Sequence, residues 1–258
     1  MAIRPWLMCC NKEGTMAQKK VNAVIHSQEK LAEGIYSMWL DAPEMAEAAV
    51  PGQFIAVYTN DQSKLLPRPI SICEADKENG RLRIVYRIAG AGTKEFSAYK
   101  EGDTLDIMGP LGNGFPLKKK KAFLIGGGIG IPPMLELAKN LDCEKTAVIG
   151  YRDKETFLAD ELRKYADVVI ATEDGSVGTK GNVIDAIRAE KLTADIIYAC
   201  GPTPMLKALK AYAMENGIEC YISLEEKMAC GIGACLGCVC HSKDIDEHSN
   251  VRNKRICK

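Results

Sequence analysis

The sequence predicts two unlike domains in series, an antiparallel β-barrel and then an α/β domain on a parallel sheet, followed by a small cysteine module. Three observations carry this prediction. Up to about residue 117 the chain reads as short β-branched and aromatic runs cut by Gly and Pro. From residue 122 onward short apolar strands alternate with helical stretches. Cys230, Cys235, Cys238, Cys240 and Cys257 crowd the C-terminal end. A length of 258 residues suits two domains and an appendage. The division is a disordered tail at 1–18, the barrel at 19–117, the sheet domain at 118–222 and the cysteine module at 223–258.

The barrel strands are expected at 21–26, 35–40, 53–58, 70–73, 81–88 and 104–108, with turn signals at Gly34, Pro51-Gly52, Gly80, Gly102 and Gly109-Pro110. Six strands at that spacing suit a small antiparallel barrel, and 93–99 adds a short helix. A basic run, Lys118 to Lys121, marks the boundary. Beyond it, strands are expected at 122–125, 146–151, 168–172, 196–200 and 220–224. Helices are expected at 133–141, 156–164, 183–190 and 204–216, and this alternation implies a parallel sheet covered on both faces.

Composition excludes several classes. Lys plus Arg and Asp plus Glu balance at 34 each, without the basic surplus that a nucleic-acid binder needs. No apolar run approaches the roughly 20 residues that span a bilayer. Leu7, Met8 and Cys9 hint at a lipoprotein signal, but the apolar part is short and broken by Pro5, so the start reads as a tail and Met16 as an alternative start. The cysteines are not spread as in a secreted disulfide scaffold, which points to a reduced, cytoplasmic protein with one metal site at its end. His26, His241 and His248 show no ligand spacing and read as surface or turn residues.

Cys230, Cys235 and Cys238, followed at a distance by Cys257, have the C-x4-C-x2-C…C spacing of plant-type [2Fe–2S] centres. Three thiolates on one tight loop must converge on one side of the cluster while backbone N–H groups turn toward it. Gly231, Gly233, Ala234 and Gly237 keep that wall thin. A four-cysteine zinc site is the alternative, although it more often uses two separated C-x2-C pairs. Cys240 is the alternative fourth ligand, disfavoured because the chain is already leaving the loop there.

Gly126, Gly127, Gly128 and Gly130 follow an apolar strand, and Pro132 or Pro133 opens the next helix. A backbone this bare can approach a pyrophosphate at a helix N-terminus, although Ile131 stands where the full dinucleotide fingerprint has its third glycine. A tight strand-to-helix turn without a ligand is the plain alternative. Cys200, Gly201, Pro202 and Met205 form a second such turn, and both would lie at the carboxyl ends of parallel strands, where ligands bind. Glu173 and Asp174 end the strand between them, suited either to a ribose diol, favouring NADH over NADPH, or to a solvated acidic turn. In the barrel, Arg68 can pair with a phosphate and Ser71 can donate to a flavin ring, while Gly92 and Thr93 can offer donors to a pyrophosphate. Taken alone, an Arg-Pro at a strand start is more often structural.

Arg68-Pro69-Ile70-Ser71, Gly92-Thr93, the glycine turn and Cys200-Gly201-Pro202, in that order, resemble the ferredoxin–NADP reductase superfamily. The ending from Ser223 to Cys238 is similar to the electron-transfer subunits of type B, NAD-dependent dihydroorotate dehydrogenases, and the resemblance runs from Lys19 to Lys258. It implies a two-domain ferredoxin reductase-like fold, FAD in the barrel, NAD in the sheet domain and a [2Fe–2S] cluster on Cys230, Cys235, Cys238 and Cys257. Arg68, Pro69, Ile70 and Ser71 would hold the flavin with Val85, Tyr86 and Arg87 beside it, and Gly92 and Thr93 would hold the FAD phosphates. It also implies a partner, an FMN-containing catalytic subunit that oxidises dihydroorotate, paired in a heterotetramer of two of each chain for pyrimidine biosynthesis. Ile70 stands where the wider superfamily has a tyrosine, and the chain stops at Lys258, where the family usually continues for several residues.

The implied activity is a relay from the partner's FMN through the cluster and FAD to NAD+, with Cys200 beside the nicotinamide. The rivals are the flavin and iron–sulfur subunit of an NADH-dependent ferredoxin:NADP oxidoreductase or of a sulfhydrogenase, and a non-redox interaction subunit holding zinc. In the ferredoxin:NADP oxidoreductase the first cluster ligand resembles an aspartate, whereas here it is Cys230.

Overall fold

The structure, a computed structural model, describes residues 19–61, 63–243, 245–246 and 250–257. The segment 1–18, with Cys9, Cys10 and Met16, lies outside the described residues, as do His248 and Lys258.

Six antiparallel strands close a barrel: β1 (Lys19–Ala32), β2 (Ile35–Asp41), β3 (Phe54–Val57), β4 (Arg68–Asp76), β5 (Arg81–Arg87) and β6 (Thr104–Leu111). Their order around the barrel is β1-β2-β5-β4-β3-β6, which leaves no free edge. Alternate residues point inward, and Ile25, Met38, Leu82 and Ile107 are fully buried there. Helix α1 (Pro43–Ala48) follows β2 and was not expected from the sequence; Pro43 opens its first turn. The expected helix at 93–99 lies two to three residues earlier, as α2 (Ala91–Phe96).

The second domain is a six-stranded parallel sheet: β7 (Ala122–Gly127), β8 (Lys145–Tyr151), β9 (Asp167–Thr172), β10 (Thr179–Lys180), β11 (Ile196–Cys200) and β12 (Glu219–Ser223). One face is covered by α3 (Pro132–Asn140) and α4 (Ala159–Leu162), the other by α5 (Val183–Ala189) and α6 (Thr203–Asn216). The two-residue edge strand β10 is too short to register in the sequence. The helix expected at 156–164 shrinks to the four residues of α4, because Leu158 adopts φ 64° and interrupts the helical turn.

Strand order β10-β9-β8-β7-β11-β12 places the sites. The chain leaves β7 toward one edge of the sheet and leaves β11 toward the other, so a crevice opens between their carboxyl ends. At the C-terminal end, β13 (Val239–His241) and β14 (Asn253–Arg255) form a hairpin. His26 and His241 lie on strands rather than in turns.

Candidate functional site

Cys238 and Cys257 are each 1% exposed and pack with Phe54, Ala56 and Leu111 of the barrel wall. Their sulfurs stand 3.1 Å apart. On the other side of the loop the backbone N–H of Cys235 points at Cys230 Sγ at 3.3 Å. Burial alone would raise the Cys230 thiol, but N–H groups of Cys235, Ile232 and Ala234 directed at its sulfur bring it down to about 6. Burial and the neighbouring Cys238 push Cys257 up to about 12, so this pair ionises together only beside positive charge. The four thiols thus fall into two pairs, Cys230 with Cys235 and Cys238 with Cys257, and each iron of a [2Fe–2S] cluster takes two thiolates. Gly231 and Gly233 take φ of +70° and +77°, as the tight loop requires. Cys240 lies in β13 opposite Lys254, outside the apolar group in which Cys238 and Cys257 are buried.

The cluster loop rests against β3 and β6, and β3 pairs directly with the start of β4: Phe54 opposes Ser71 and Val57 opposes Arg68. The loop and the Arg68–Ser71 segment are therefore separated by one strand. Arg68 runs over α2, where a Cβ on Gly92 would stand 2.1 Å from its Nε, so a side chain there would push the guanidinium aside. This brings together two segments that lie far apart in sequence, with a cation over the start of a helix, a suitable cradle for a diphosphate. Thr93 Oγ1 accepts N–H from Ala89 and Gly90 at 2.8 and 3.2 Å, so its hydroxyl is engaged in shaping the turn. Pro69 is exposed and Ser71 half-buried. Ile70 faces the barrel core, as does Tyr86, whose hydroxyl donates to Gln28 Oε1 at 2.8 Å. Val85 and Arg87 occupy the outer face of β5, with Val85 packed against the sheet domain.

In the crevice, the two turns are fitted into each other. A Cβ on Gly130 would meet the Cys200 carbonyl oxygen at 2.3 Å, and one on Gly127 would meet Met205 Sδ at 2.7 Å. Gly126 is closed off by Ile131 in the same way. Only Gly128, with φ +53° and nothing within 4 Å of its Cβ position, presents bare backbone to open space, the surface a pyrophosphate would meet. Cys200 is 2% exposed, and burial pushes its thiol up to about 12 while Ser223 donates to the sulfur. Asp174 accepts the Ser176 N–H at 2.9 Å, an acidic turn at the end of β9; Glu173 is exposed beside it.

The comparisons with known proteins follow this layout. Residues 22–115 match the family described as oxidoreductase FAD-binding domain, and residues 225–258 match the iron–sulfur cluster binding domain of dihydroorotate dehydrogenase B. The dihydroorotate dehydrogenase B (NAD(+)) electron transfer subunit of Geobacillus sp. (strain WCH70) is 42% identical over 251 residues, covering 94% of this chain and 95% of that one. The subunit of the same name from Streptococcus mutans serotype c is 45% identical over 242 residues, covering 90% and 93%. The chain belongs to the dihydroorotate dehydrogenase B electron transfer subunit family. Among solved structures, a chain from the NADH-dependent reduced ferredoxin-NADP oxidoreductase aligns with TM-score 0.81 at 31% identity, covering 94% of this chain and 87% of that one. A ferredoxin NADP+ reductase from Neisseria gonorrhoeae with bound FAD and NADP shares the fold at TM-score 0.66 and 17% identity, covering 80% and 99%.

Two residues of this family member escaped the sequence reading. Glu225 lies two residues past β12, where the protein crowding one side raises its carboxyl and Arg87 opposes that. Its charge is also felt by the Cys200 thiol. Its position just after β12, at the same carboxyl end of the sheet as both turns, was the signal available. The other is Arg83, whose alternating strand context, Arg-Leu-Arg-Ile, reads as a solvated face.

Proposed function

We propose that this chain passes electrons from dihydroorotate oxidation, carried out on a separate catalytic subunit, through a [2Fe–2S] cluster and FAD to NAD+ in pyrimidine biosynthesis. The observation that carries the reading is the stacking order of the chain's own segments. The cysteine loop, with Cys257 beside it, packs on β3, β3 pairs with the Arg68–Ser71 stretch of β4, and the crevice between β7 and β11 belongs to the domain packed against β5.

When bound, FAD supplies the exchange between single electrons and a hydride. The protein binds and orients. Arg68 and the backbone at Gly92 and Thr93 would take the FAD diphosphate, Ser71 the ring, and the outer face of β5 at Val85 and Arg87 the ring's other flank. Gly128 would admit the NAD pyrophosphate, with Gly126, Gly127, Gly130, Gly201, Pro202 and Met205 shaping the turns. Glu173 and Asp174 would face the ribose, and Cys200, kept protonated by burial, would pack near the nicotinamide. The partner is proposed to carry FMN and to assemble as two of each chain in the cytoplasm. No helix among the described residues is long and apolar enough to cross a membrane.

The likeness to the NADH-dependent reduced ferredoxin-NADP oxidoreductase favours a second reading, with ferredoxin in place of the dihydroorotate-oxidising partner. The higher identity to the dihydroorotate dehydrogenase B subunits ranks it second. Co-expression of this chain with the catalytic subunit of its own organism tests the choice. The expected result is co-purification and dihydroorotate-dependent formation of NADH that neither chain gives alone. Full NAD+ reduction by the catalytic subunit alone would overturn the assignment.

A further inference from the structure

The boundary between the barrel and the sheet domain holds a cluster of charges that no binding role uses. Arg83, in the middle of β5, is 4% exposed. Its Nε donates to Ser37 Oγ at 2.9 Å, and its two terminal nitrogens grip both carboxylate oxygens of Glu161 on α4 at 2.5 and 3.1 Å. Glu74 lies 3.5 Å and Glu29 3.7 Å from the same guanidinium, whose carbon sits 5.7 Å from the Trp39 ring centroid. Glu74 in turn accepts from Lys139 of α3 at 2.6 Å. One residue on, the Ala75 N–H donates to the buried Glu136 carboxylate of α3 at 2.9 Å, which Asn140 braces from its other oxygen. A register shift between Ile72 and Glu74 in β4 lies beside these contacts, and such bulges re-aim side chains.

Three of these contacts join the two domains, Arg83 to Glu161, Lys139 to Glu74 and Ala75 to Glu136, and the others brace the groups that make them. Desolvation opposes the Arg83 charge, yet the carboxylates of Glu161 and Glu74 more than offset it and hold it firmly protonated. Buried ion pairs of this kind are weak contributors to net stability compared with apolar packing of equal volume. Apolar contacts already join the domains here through Cys73 and Val85. What a bidentate pair adds is direction: an apolar face can slide, whereas a fork-to-fork contact fixes distance and angle.

Placement says what is being fixed. β4 carries Arg68–Ser71 at its start and Glu74–Ala75 near its end, and β5 carries Arg83 two residues before Val85. On the far side, α3 begins immediately after the glycine turn and carries Glu136 and Lys139. The clasp therefore joins the strands proposed to hold the flavin to the helix that opens the proposed nucleotide crevice. We infer that Arg83, clasped by Glu161 and Glu74, is a positioning residue that sets the spacing between flavin and nicotinamide for hydride transfer. The inference rests on the flavin and nucleotide placements proposed above.

The test uses the assembled complex loaded with FAD, and reads anaerobic flavin bleaching by NADH in a stopped-flow instrument. Arg83→Met and Glu161→Gln are expected to slow bleaching at saturating NADH by about tenfold or more, because a misplacement near 1 Å suffices for such losses. Half-saturation by NADH and FAD content should stay close to wild type, and Arg83→Lys should recover part of the rate. A purely structural role would lower the melting temperature and leave the rate of the folded, FAD-replete protein untouched. That result in either variant overturns the inference; should Arg83→Met fail to fold, Glu161→Gln, altered at the partly exposed end of the pair, decides alone. A wild-type complex that NADH does not bleach would instead remove the underlying coenzyme reading, and so is distinguishable from failure of the clasp.

Discussion

The carbonyl oxygen of Cys200 stands 2.3 Å from the point where a Cβ on Gly130 would be, so the turn after β7 and the turn after β11 close on each other with no room for a methyl group. The obstacle is backbone, which cannot rotate aside.

Gly130→Ala is therefore expected to destabilise the sheet domain by about 2 kcal/mol or more, as overpacking of a tight contact does. Gly128→Ala, in open space but at φ +53°, should cost less stability and weaken NADH binding instead. Thermal melts with NADH titrations separate the two. Equal stability loss in both variants would contradict the division of roles.

The pairing of thiols gives a prediction on the cluster. Cys257→Ser should abolish stable cluster incorporation, whereas Cys240→Ser should retain about two irons per chain. Iron and sulfide assays with electron paramagnetic resonance of the reduced protein check this. A cluster lost from Cys240→Ser and kept in Cys257→Ser would reverse the ligand assignment.

Cysteine reactivity should follow the local fields. In the chain stripped of metal, Cys230, at about 6, is expected to alkylate well before Cys200, at about 12, and Cys220, at about 11, near neutral pH. Peptide mass mapping of iodoacetamide adducts over time reads the order. Early labelling of Cys200 would show that the crevice opens far more than its burial implies.

Much of this layout could be read from residues. The six barrel strands, the parallel strands after residue 122 and the cluster spacing each rest on a local pattern, and the structure places them near the expected ranges. What escaped needed long-range contacts. The helix expected at 156–164 collapses to four residues because Leu158 turns into the left-handed region, while Glu161 pairs with a residue 78 positions away. The glycines at 126, 127 and 130 read as phosphate-facing, but their Cβ positions are filled by Ile131, Met205 and the Cys200 carbonyl, and only Gly128 is open. The Arg83–Glu161 pair and the Arg87 charge beside Glu225 come from neighbours that folding supplies, which no spacing rule encodes.

Coenzyme choice offers a further check. Asp174, already held low by the Ser176 hydroxyl and N–H, is a full negative charge at neutral pH. Asp174→Ser is expected to raise kcat/KM for NADPH relative to NADH by about tenfold, equivalent to ~1.4 kcal/mol of removed repulsion. Steady-state diaphorase assays with both coenzymes measure it. An unchanged ratio would remove the carboxylate from the specificity site.

The linker between the domains predicts an acid response. Burial alone would raise Glu219, but Lys118, Tyr221 and Lys120 outweigh it and bring the carboxyl down to about 2. A depressed carboxyl contributes stability that is fully present above the ordinary glutamate value of 4.5 and is lost as pH falls toward about 2. Glu219→Gln should therefore flatten the pH dependence of the melting temperature in that window. A wild-type slope in the variant would place the acid sensitivity elsewhere.

The most direct test of the electron-transfer assignment is an anaerobic visible spectrum of the purified chain before and after NADH, with iron, sulfide, zinc and flavin assayed on the same sample. The account predicts about one FAD and about two irons per chain, with the flavin and iron–sulfur absorbance bleached by NADH. A colourless chain that holds zinc and no flavin would contradict it.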